Sequence, residues 1–134
     1  MTENMNMTMT TEKKRILVVD DQAQNTRLLK LHLERNHYAV KEENNAKAAL
    51  SAAEEFQPHL ILLDVMMPGI GGGELAACFQ ASAKLKAVPI VFLTAAVTKK
   101  EIEAGGGRLG GFPFLAKPVV LSEVIACLKQ HLEG

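Results

Sequence analysis

Carboxylate side chains close two apolar runs of this sequence. Asp64 follows the run 60–63, and the pair Asp20 and Asp21 follows the run 15–19. A buried charge without a partner costs several kcal/mol, so a carboxylate at the end of a buried strand is usually functional. These three aspartates are therefore the first candidates for a chemical site.

Two other polar side chains follow apolar runs in the same way. Thr94 ends the run 88–93, and Lys117 comes directly after the run 112–116. Parallel α/β sheets place their active sites outside the carboxyl ends of the strands. If all four runs are strands of such a sheet, three carboxylates, one hydroxyl and one ammonium meet at the same edge.

Such a cluster predicts a definite chemistry. Neighbouring carboxylates repel one another, and a hard divalent cation with oxygen ligands removes that repulsion. Mg2+ is the expected cation, with Mn2+ as an alternative. Asp64 then acts either as a ligand only or as a nucleophile that accepts a phosphoryl group. In the second case Lys117 and Thr94 can contact phosphoryl oxygens, because such transfer depends on positioning and charge neutralisation.

The composition indicates one folded domain and gives no sign of nucleic-acid binding. The chain has 134 residues, of which 48% are hydrophobic, and 15 Lys and Arg balance 15 Asp and Glu. Nucleic-acid-binding modules are usually basic, so zero net charge argues against such a partner. Aromatic residues make up 4% of the chain with no Trp, which leaves no obvious platform for stacking a base or a sugar.

Residues 1–14 differ in composition from the rest of the chain. They are rich in Met, Thr and Asn and lack the apolar centre of a signal peptide. We therefore predict a disordered tail over 1–14 and a single domain over 15–132. No stretch approaches the ~18 apolar residues that span a bilayer. Cys78 and Cys127 lie in apolar helical patterns, which is typical of core packing in a reducing compartment. We expect a cytoplasmic protein without a membrane partner.

Strand-like and helix-like patterns alternate along the chain. Three strand-like runs, at 15–20, 59–64 and 88–94, are continuously apolar between their first residue and the polar residue that ends each of them. This is typical of strands covered by helices on both faces of a doubly wound α/β sheet. The predicted elements are strand 1 (about 15–20), helix 1 (about 23–36), strand 2 (38–42), helix 2 (about 46–55), strand 3 (59–64), helix 3 (about 73–82), strand 4 (88–94), helix 4 (from near Thr98), strand 5 (112–116) and helix 5 (about 121–132).

Two segments are rich in glycine. Residues 69–73 read Gly-Ile-Gly-Gly-Gly, and residues 105–111 read Gly-Gly-Gly-Arg-Leu-Gly-Gly. Neither segment matches a phosphate-binding loop. We interpret both as caps and turns, and we expect the second segment to be loosely held.

The order of the strand-end residues resembles the receiver domains of two-component response regulators. The resemblance covers essentially residues 15–132 and implies a flavodoxin-like (βα)5 fold with a five-stranded parallel sheet in the order 2-1-3-4-5. The organisation is similar to that of single-domain chemotaxis regulators. The matching residues are Asp20-Asp21, Asp64 with the following Met-Met-Pro-Gly, Thr94-Ala95, and Lys117-Pro118.

The resemblance also implies how the acidic residues divide their work. Asp64 would be phosphorylated by a histidine kinase. Mg2+ would be held by Asp20, Asp21, Asp64 and the backbone carbonyl of Met66. By the same resemblance, one residue of the acidic pair binds the metal directly and the other through water.

The remaining implied roles concern the phosphoryl oxygens and a switch. Thr94 and Lys117 would bind those oxygens, and the Phe114 ring would change rotamer as Thr94 moves. The sequence departs from the family pattern in three places. Phe114 replaces the frequent Tyr, Pro113 before it suggests an edge strand, and Gly71 stands where the family often has an Asp helix cap.

The resemblance implies a signalling protein rather than an enzyme. We expect a stand-alone receiver that phosphorylates itself from donors in a Mg2+-dependent reaction and loses the group slowly. The donor would be a sensor histidine kinase or a histidine phosphotransfer protein. Output to an unidentified protein target would use the surface formed by predicted helix 4, strand 5 and helix 5. The same surface could support a weak dimer of an otherwise monomeric protein.

Two rival functions fit the sequence less well. A flavodoxin-like electron carrier needs a Ser- or Thr-rich phosphate loop after strand 1, where this chain has Asp20-Asp21-Gln22-Ala23. A hydrolase of the haloacid-dehalogenase kind needs an Asp-x-Asp motif, which Asp64-Val65-Met66 does not supply.

Overall fold

The structure, a computed structural model, describes residues 13–67, 71–95, 108–109 and 112–132. Predicted helix 4, most of the glycine run 105–111 and residues 1–12 of the predicted tail lie outside these ranges. The elements are β1 (Arg15–Val19), α1 (Ala23–Arg35), β2 (Ala39–Glu43), α2 (Ala46–Phe56), β3 (Leu60–Asp64), α3 (Gly72–Ala81), β4 (Ile90–Thr94), β5 (Arg108–Leu109), β6 (Phe112–Ala116) and α4 (Leu121–Leu132).

The sheet has the predicted parallel order with one addition. Its strands lie in the order β2-β1-β3-β4-β6-β5. The pairings among β2, β1, β3, β4 and β6 are all parallel, and β6 is predicted strand 5, so the order 2-1-3-4-5 is confirmed. The sequence did not predict β5, a two-residue strand that pairs antiparallel with β6. Pro113 therefore lies in the last parallel strand but faces β5 rather than an open edge.

The continuously apolar strands are buried on both faces. Every residue of β3 and β4 is buried, as are the last four residues of β1. Their side chains alternate between two cores, because successive residues of a strand point to opposite faces of the sheet. Leu17 and Leu63 belong to the core under α2 and α3, whereas Val18 and Leu62 belong to the core under α1 and α4.

The helices cover these cores with apolar side chains from one face of each helix. Leu75 and Phe79 of α3 point inward, and Val124 and Leu128 of α4 are fully buried. Ala49 and Ala53 of α2 are also fully buried, so small side chains let this helix approach the sheet closely. Asn45 caps α2, because its side chain accepts a hydrogen bond from the Lys47 N–H at 2.8 Å.

Helix α1 is apolar on more than its buried face. Leu29 and Leu33 lie in the core, but Leu28 and Leu31 are 57% and 46% exposed. Cys78 and Cys127 are half-buried, unpaired by disulfides, and packed against the two cores, as predicted.

Candidate functional site

The predicted site residues gather at one edge of the sheet. Asp64 ends β3 and Thr94 ends β4, while Asp20 and Lys117 come directly after β1 and β6. Because these strands are parallel neighbours, their carboxyl ends lie side by side. The pairing of β4 with β6 continues one residue past the end of β6, because the Lys117 N–H donates to the Thr94 carbonyl at 2.9 Å.

Asp20 is the most enclosed carboxylate of the cluster. Only 1% of the residue is exposed. Its Oδ1 accepts a hydrogen bond from the Gln22 N–H at 3.0 Å. Its Oδ2 contacts the Lys117 ammonium at 2.8 Å and accepts a longer hydrogen bond from the Asn25 amide at 3.3 Å. Asp21, next in the chain, is exposed. The acidic pair is therefore asymmetric, with one buried member and one open to solvent.

Asp64 lies close to both the acidic pair and the lysine. It is 4% exposed, its Oδ1 accepts a hydrogen bond from the Met66 N–H at 3.2 Å, and the same oxygen is 3.4 Å from the Lys117 Nζ. Burial raises the pKa of the Asp64 carboxyl above its ordinary 3.8, and the negative charge of Asp20 adds to that rise. The Met66 N–H and the Lys117 ammonium oppose the rise without cancelling it.

Lys117 is the cation shared by two carboxylates. Burial acts to lower the pKa of its ammonium, but the hydrogen bond and charge of Asp20 and the charge of Asp64 outweigh it. The pKa of Lys117 therefore lies above its ordinary 10.5. Lys117 stays protonated at neutral pH, within reach of any group attached to Asp64.

The carboxylates fit a divalent cation in both chemistry and charge. One oxygen from each of Asp20, Asp21 and Asp64 lies within 4.8 Å of the others. Among the described residues of this cluster, three carboxylates face the Lys117 ammonium, which leaves a formal charge of −2. Carboxylate oxygens are the ligands that Mg2+ prefers, and a dication would balance this charge.

Thr94 and Phe114 occupy neighbouring strands beside the carboxylates. Thr94 is 1% exposed and lies in register with Ala116, one position beyond the pair formed by Asp64 and Leu93. Phe114 lies in register with Phe92 and packs, partly buried, against the core under α2 and α3. The switching role of both residues stays a prediction.

Sequence reasoning missed two asparagines that touch Asp20. Asn25, in the first turn of α1, donates to the carboxylate, and Asn44, after β2, donates to the backbone carbonyl at 2.7 Å. The sequence could have placed Asn44 at this edge of the sheet, because β2 also ends there and is followed by two polar residues, but it does not indicate the bond to Asp20. Neither Asp20 nor Asp21 is the cap residue of α1, because that position is Gln22, whose side chain makes no capping hydrogen bond.

Helix α3 begins directly against the backbone of the β3 terminus. The Gly72 N–H donates to the Val65 carbonyl at 3.0 Å. A Cβ at Gly72 would lie 2.6 Å from the Val65 Cα and 2.9 Å from the Asp64 carbonyl oxygen. Gly71 before it is the cap residue and supplies no side-chain hydrogen bond, which agrees with the predicted loss of an Asp cap. Glycine at 72 thus lets the helix start close to Asp64.

Comparison with known protein families agrees with this geometry. The family model described as the response regulator receiver domain matches residues 16–129. The chain belongs to this family. Receivers are phosphoacceptor signalling domains that take a phosphoryl group on an aspartate from kinases, and this chain is one of them. The flavin-carrier and hydrolase alternatives are thereby set aside.

Similar proteins include regulators with additional domains. The chain is 42% identical over 125 residues to the transcriptional regulatory protein ResD of Bacillus subtilis, covering 91% of this chain and 49% of ResD. It is 38% identical to the alkaline phosphatase synthesis transcriptional regulatory protein PhoP of the same organism, covering 89% and 48%. The chain thus spans about half the length of these curated relatives, and independent action as a stand-alone receiver stays a prediction.

Solved structures share the fold along the whole length of the domain. A response regulator from Desulfuromonas acetoxidans matches with a TM-score of 0.78 at 28% identity, covering 90% of this chain and 97% of that one. The Vibrio cholerae chemotaxis protein CheY4 gives the same TM-score at 24% identity, covering 90% and 100%. Within the described residues, no helix has the length and apolar character needed to cross a membrane.

Proposed function

We propose that Asp64 is the phosphoacceptor of this receiver and that Mg2+ binds beside it. The ligands would be the carboxylates of Asp20, Asp21 and Asp64 and the backbone carbonyl of Met66, with Mn2+ as an alternative ion. The observation that carries this proposal is the position of Asp64, a buried carboxylate 3.4 Å from a lysine ammonium and within 4.8 Å of two further carboxylates.

The chemistry follows from the contacts of Asp64. Its carboxylate attacks the phosphorus of a phosphohistidine, the phosphorus–nitrogen bond breaks, and the imidazole of the donor leaves with the bonding electrons and takes up a proton. When bound, the metal supplies positive charge to the phosphoryl oxygens. Lys117, held by Asp20 at 2.8 Å and 3.4 Å from Asp64 Oδ1, would supply a second positive charge to these oxygens. The Thr94 hydroxyl would bind a third oxygen.

The surface around the site supports a protein as the donor. Four large hydrophobic side chains of the described residues are exposed, namely Leu28, Leu31, Met66 and Val120. Met66 lies two residues after the phosphoacceptor, and Val120 lies three residues after Lys117. A groove of about 450 Å³ begins at Asp20 and Lys117 and runs along Leu28. Exposed apolar surface of this kind favours contact with a kinase or phosphotransfer protein over a small donor alone.

The output is proposed to use the surface formed by predicted helix 4, β6 and α4. Movement of Thr94 toward the phosphoryl group would vacate space that the Phe114 ring then fills. Because the ring has no hydroxyl, turning inward buries apolar area without removing a polar group from water. The target would be a protein, and a weak dimer through the same surface would also be consistent with this arrangement.

The test combines a small phosphodonor with two variants. Incubation with acetyl phosphate and Mg2+ should add one base-labile phosphoryl group to the wild type and none to Asp64→Asn, which has nearly the same shape. Stoichiometric phosphorylation of Asp64→Asn would contradict the proposed phosphoacceptor.

The metal site is tested separately by thermal unfolding. Mg2+ should raise the melting temperature of the wild type, because it binds the native state only. Asp21→Ala should abolish most of this effect while changing stability little, since Asp21 is exposed. An undiminished Mg2+-dependent shift in Asp21→Ala would rule out the proposed ligand set.

A further inference from the structure

The Asn44 side chain connects the acidic site to the neighbouring strand. Its Nδ2 donates to the Asp20 carbonyl at 2.7 Å and to the Thr26 hydroxyl at 2.9 Å. An amide NH2 group carries two protons, so both are used. Asn44 thereby joins three segments, namely the end of β1, the first turns of α1 and the loop after β2.

Within the described residues, the Asp20 carbonyl receives no hydrogen bond from a backbone N–H of the parallel ladder. The Asp20 N–H donates to the Glu43 carbonyl at 3.2 Å, which continues the pairing of β1 with β2 by one residue. In a regular parallel ladder, the next donor to the Asp20 carbonyl would be the Asn45 N–H. That N–H instead donates to the Glu43 carboxylate at 3.1 Å. The Asn44 amide therefore replaces a backbone donor where the strand ends.

Thr26 fixes the other side of this bridge. It is fully buried, and its hydroxyl lies 3.0 Å from Glu42 Oε1 and 3.1 Å from the Ala23 carbonyl. The single hydroxyl proton serves one of these acceptors at a time, while the oxygen accepts the Asn44 amide proton. The hydroxyl thus holds the Asn44 amide in the orientation that reaches Asp20.

We propose that Asn44 and Thr26 are positioning residues for the divalent cation. They act through Asp20, whose backbone is held from both sides by the strand end and by the Asn44 amide. This proposal rests on the proposed metal site. Hydrogen-bond partners of metal ligands typically change metal affinity by about 10- to 100-fold when removed. Asn44 acts on the backbone of a ligand rather than on its carboxylate, so the lower end of that range is expected.

Because Asn44 is exposed, its substitution can test the proposal without disturbing the core. The residue as a whole is exposed, so Asn44→Ala opens no cavity in the core. The adjacent Asn45 provides a matched control, because its side chain caps α2 and donates nothing to Asp20. At the other end of the bridge, Thr26→Val removes the hydroxyl while keeping the shape, and Thr26→Ser keeps the hydroxyl.

The measurement is a Mg2+ titration of each unphosphorylated variant followed by the backbone amide resonances of Asp21 and Gln22. NMR is the appropriate probe, because the chain has no Trp to report binding by fluorescence. Asn44→Ala and Thr26→Val should raise the Mg2+ dissociation constant on the order of 10-fold. Thr26→Ser and Asn45→Ala should stay within about twofold of the wild type, although Asn45→Ala loses its helix cap.

A second measurement in metal-free protein separates positioning from general loosening. Hydrogen exchange of the Asp20 amide should accelerate in Asn44→Ala more than exchange of amides in the middle of β1. An Asn44→Ala variant with the Mg2+ affinity of the wild type would overturn this inference. An equal loss of affinity in Asn45→Ala would also overturn it. If the wild type binds no Mg2+, or if Asp21→Ala binds it equally well, the proposed metal site itself is wrong.

Discussion

Substitution of Gly72 by alanine gives the sharpest test of how α3 is attached to the site. The new Cβ would lie 2.6 Å from the Val65 Cα and 2.9 Å from the Asp64 carbonyl oxygen. Both atoms belong to the backbone, so no side chain can rotate aside to relieve the contact. At Gly73, one residue later in the same helix, a Cβ meets nothing within 4 Å. The two positions therefore form a matched pair.

The expected magnitude comes from two opposing terms. Alanine in place of glycine favours a helix by up to about 1 kcal/mol, and this gain applies to both variants. Overpacking typically costs about 1–3 kcal/mol and applies only at Gly72. Gly73→Ala should therefore be as stable as the wild type or more stable. Gly72→Ala should be less stable than Gly73→Ala by the steric cost alone, about 1–3 kcal/mol.

Urea unfolding followed by circular dichroism measures this difference. With a denaturant slope of about 2 kcal/mol/M, the two midpoints should differ by roughly 1 M. Gly72→Ala should also react more slowly with acetyl phosphate, because the displaced backbone includes the carbonyl of the proposed phosphoacceptor. Equal midpoints for the two variants would refute the close approach of α3 to the end of β3.

Three further outcomes follow from the charges of the site and from the switch. Asp64→Asn should be more stable than the wild type at pH 7. This difference in stability should shrink as the pH falls through the raised pKa of Asp64. It should vanish below 3.8, where the carboxyl is protonated in both the folded and unfolded states. Urea unfolding at a series of pH values measures the difference. Lys117→Met should cost about 1–3 kcal/mol at pH 7, because it leaves the buried Asp20 without its cation. Since the pKa of Lys117 is raised, that loss should be constant from pH 7 to 10.5 and should disappear as the pH rises through the raised value. Hydrogen exchange should change over 94–116 when beryllium fluoride mimics the phosphoryl group, and Thr94→Ala should weaken that change; an effect confined to the neighbourhood of Asp64 would contradict the switch.

The strand ends could be predicted because burial and parallel pairing leave a strong pattern in the sequence. An apolar run followed by Asp64, Thr94 or Lys117 marks both a buried strand and the polar residue at its carboxyl end. All parallel strands point the same way, so this one pattern also indicates that these side chains meet. The same argument does not fix which helix faces are covered. Leu28 and Leu29 look alike in the sequence, yet one is exposed and the other is in the core.

The contacts that depend on backbone register could not be predicted. The bond from Asn44 to the Asp20 carbonyl exists because the ladder between β1 and β2 ends at a particular residue, which apolar periodicity does not specify. The tight contact of Gly72 depends on the path of the chain between β3 and α3. The short strand β5 was missed because two residues are too few to show an alternating pattern.

The contacts of Lys117 with Asp20 and Asp64 have a consequence for the order of events during folding. Strands β1 and β3 are hydrogen-bonded neighbours, so their pairing brings Asp20 and Asp64 together. The lysine that compensates them lies 97 residues after Asp20, in a segment that docks only when β6 joins the sheet. A chain that has assembled its first strands must therefore tolerate two carboxylates without their cation. Long-range closure of this kind slows folding, and the repulsion between the two carboxylates adds to the folding barrier.

Refolding should accelerate when Mg2+ or moderate salt is present during the reaction, and the refolding of Lys117→Met should be accelerated by Mg2+ even more. Stopped-flow circular dichroism measures the refolding rate, and the rates should be compared at denaturant concentrations where the folded state is equally stable in each condition. An unchanged refolding rate would exclude the effect.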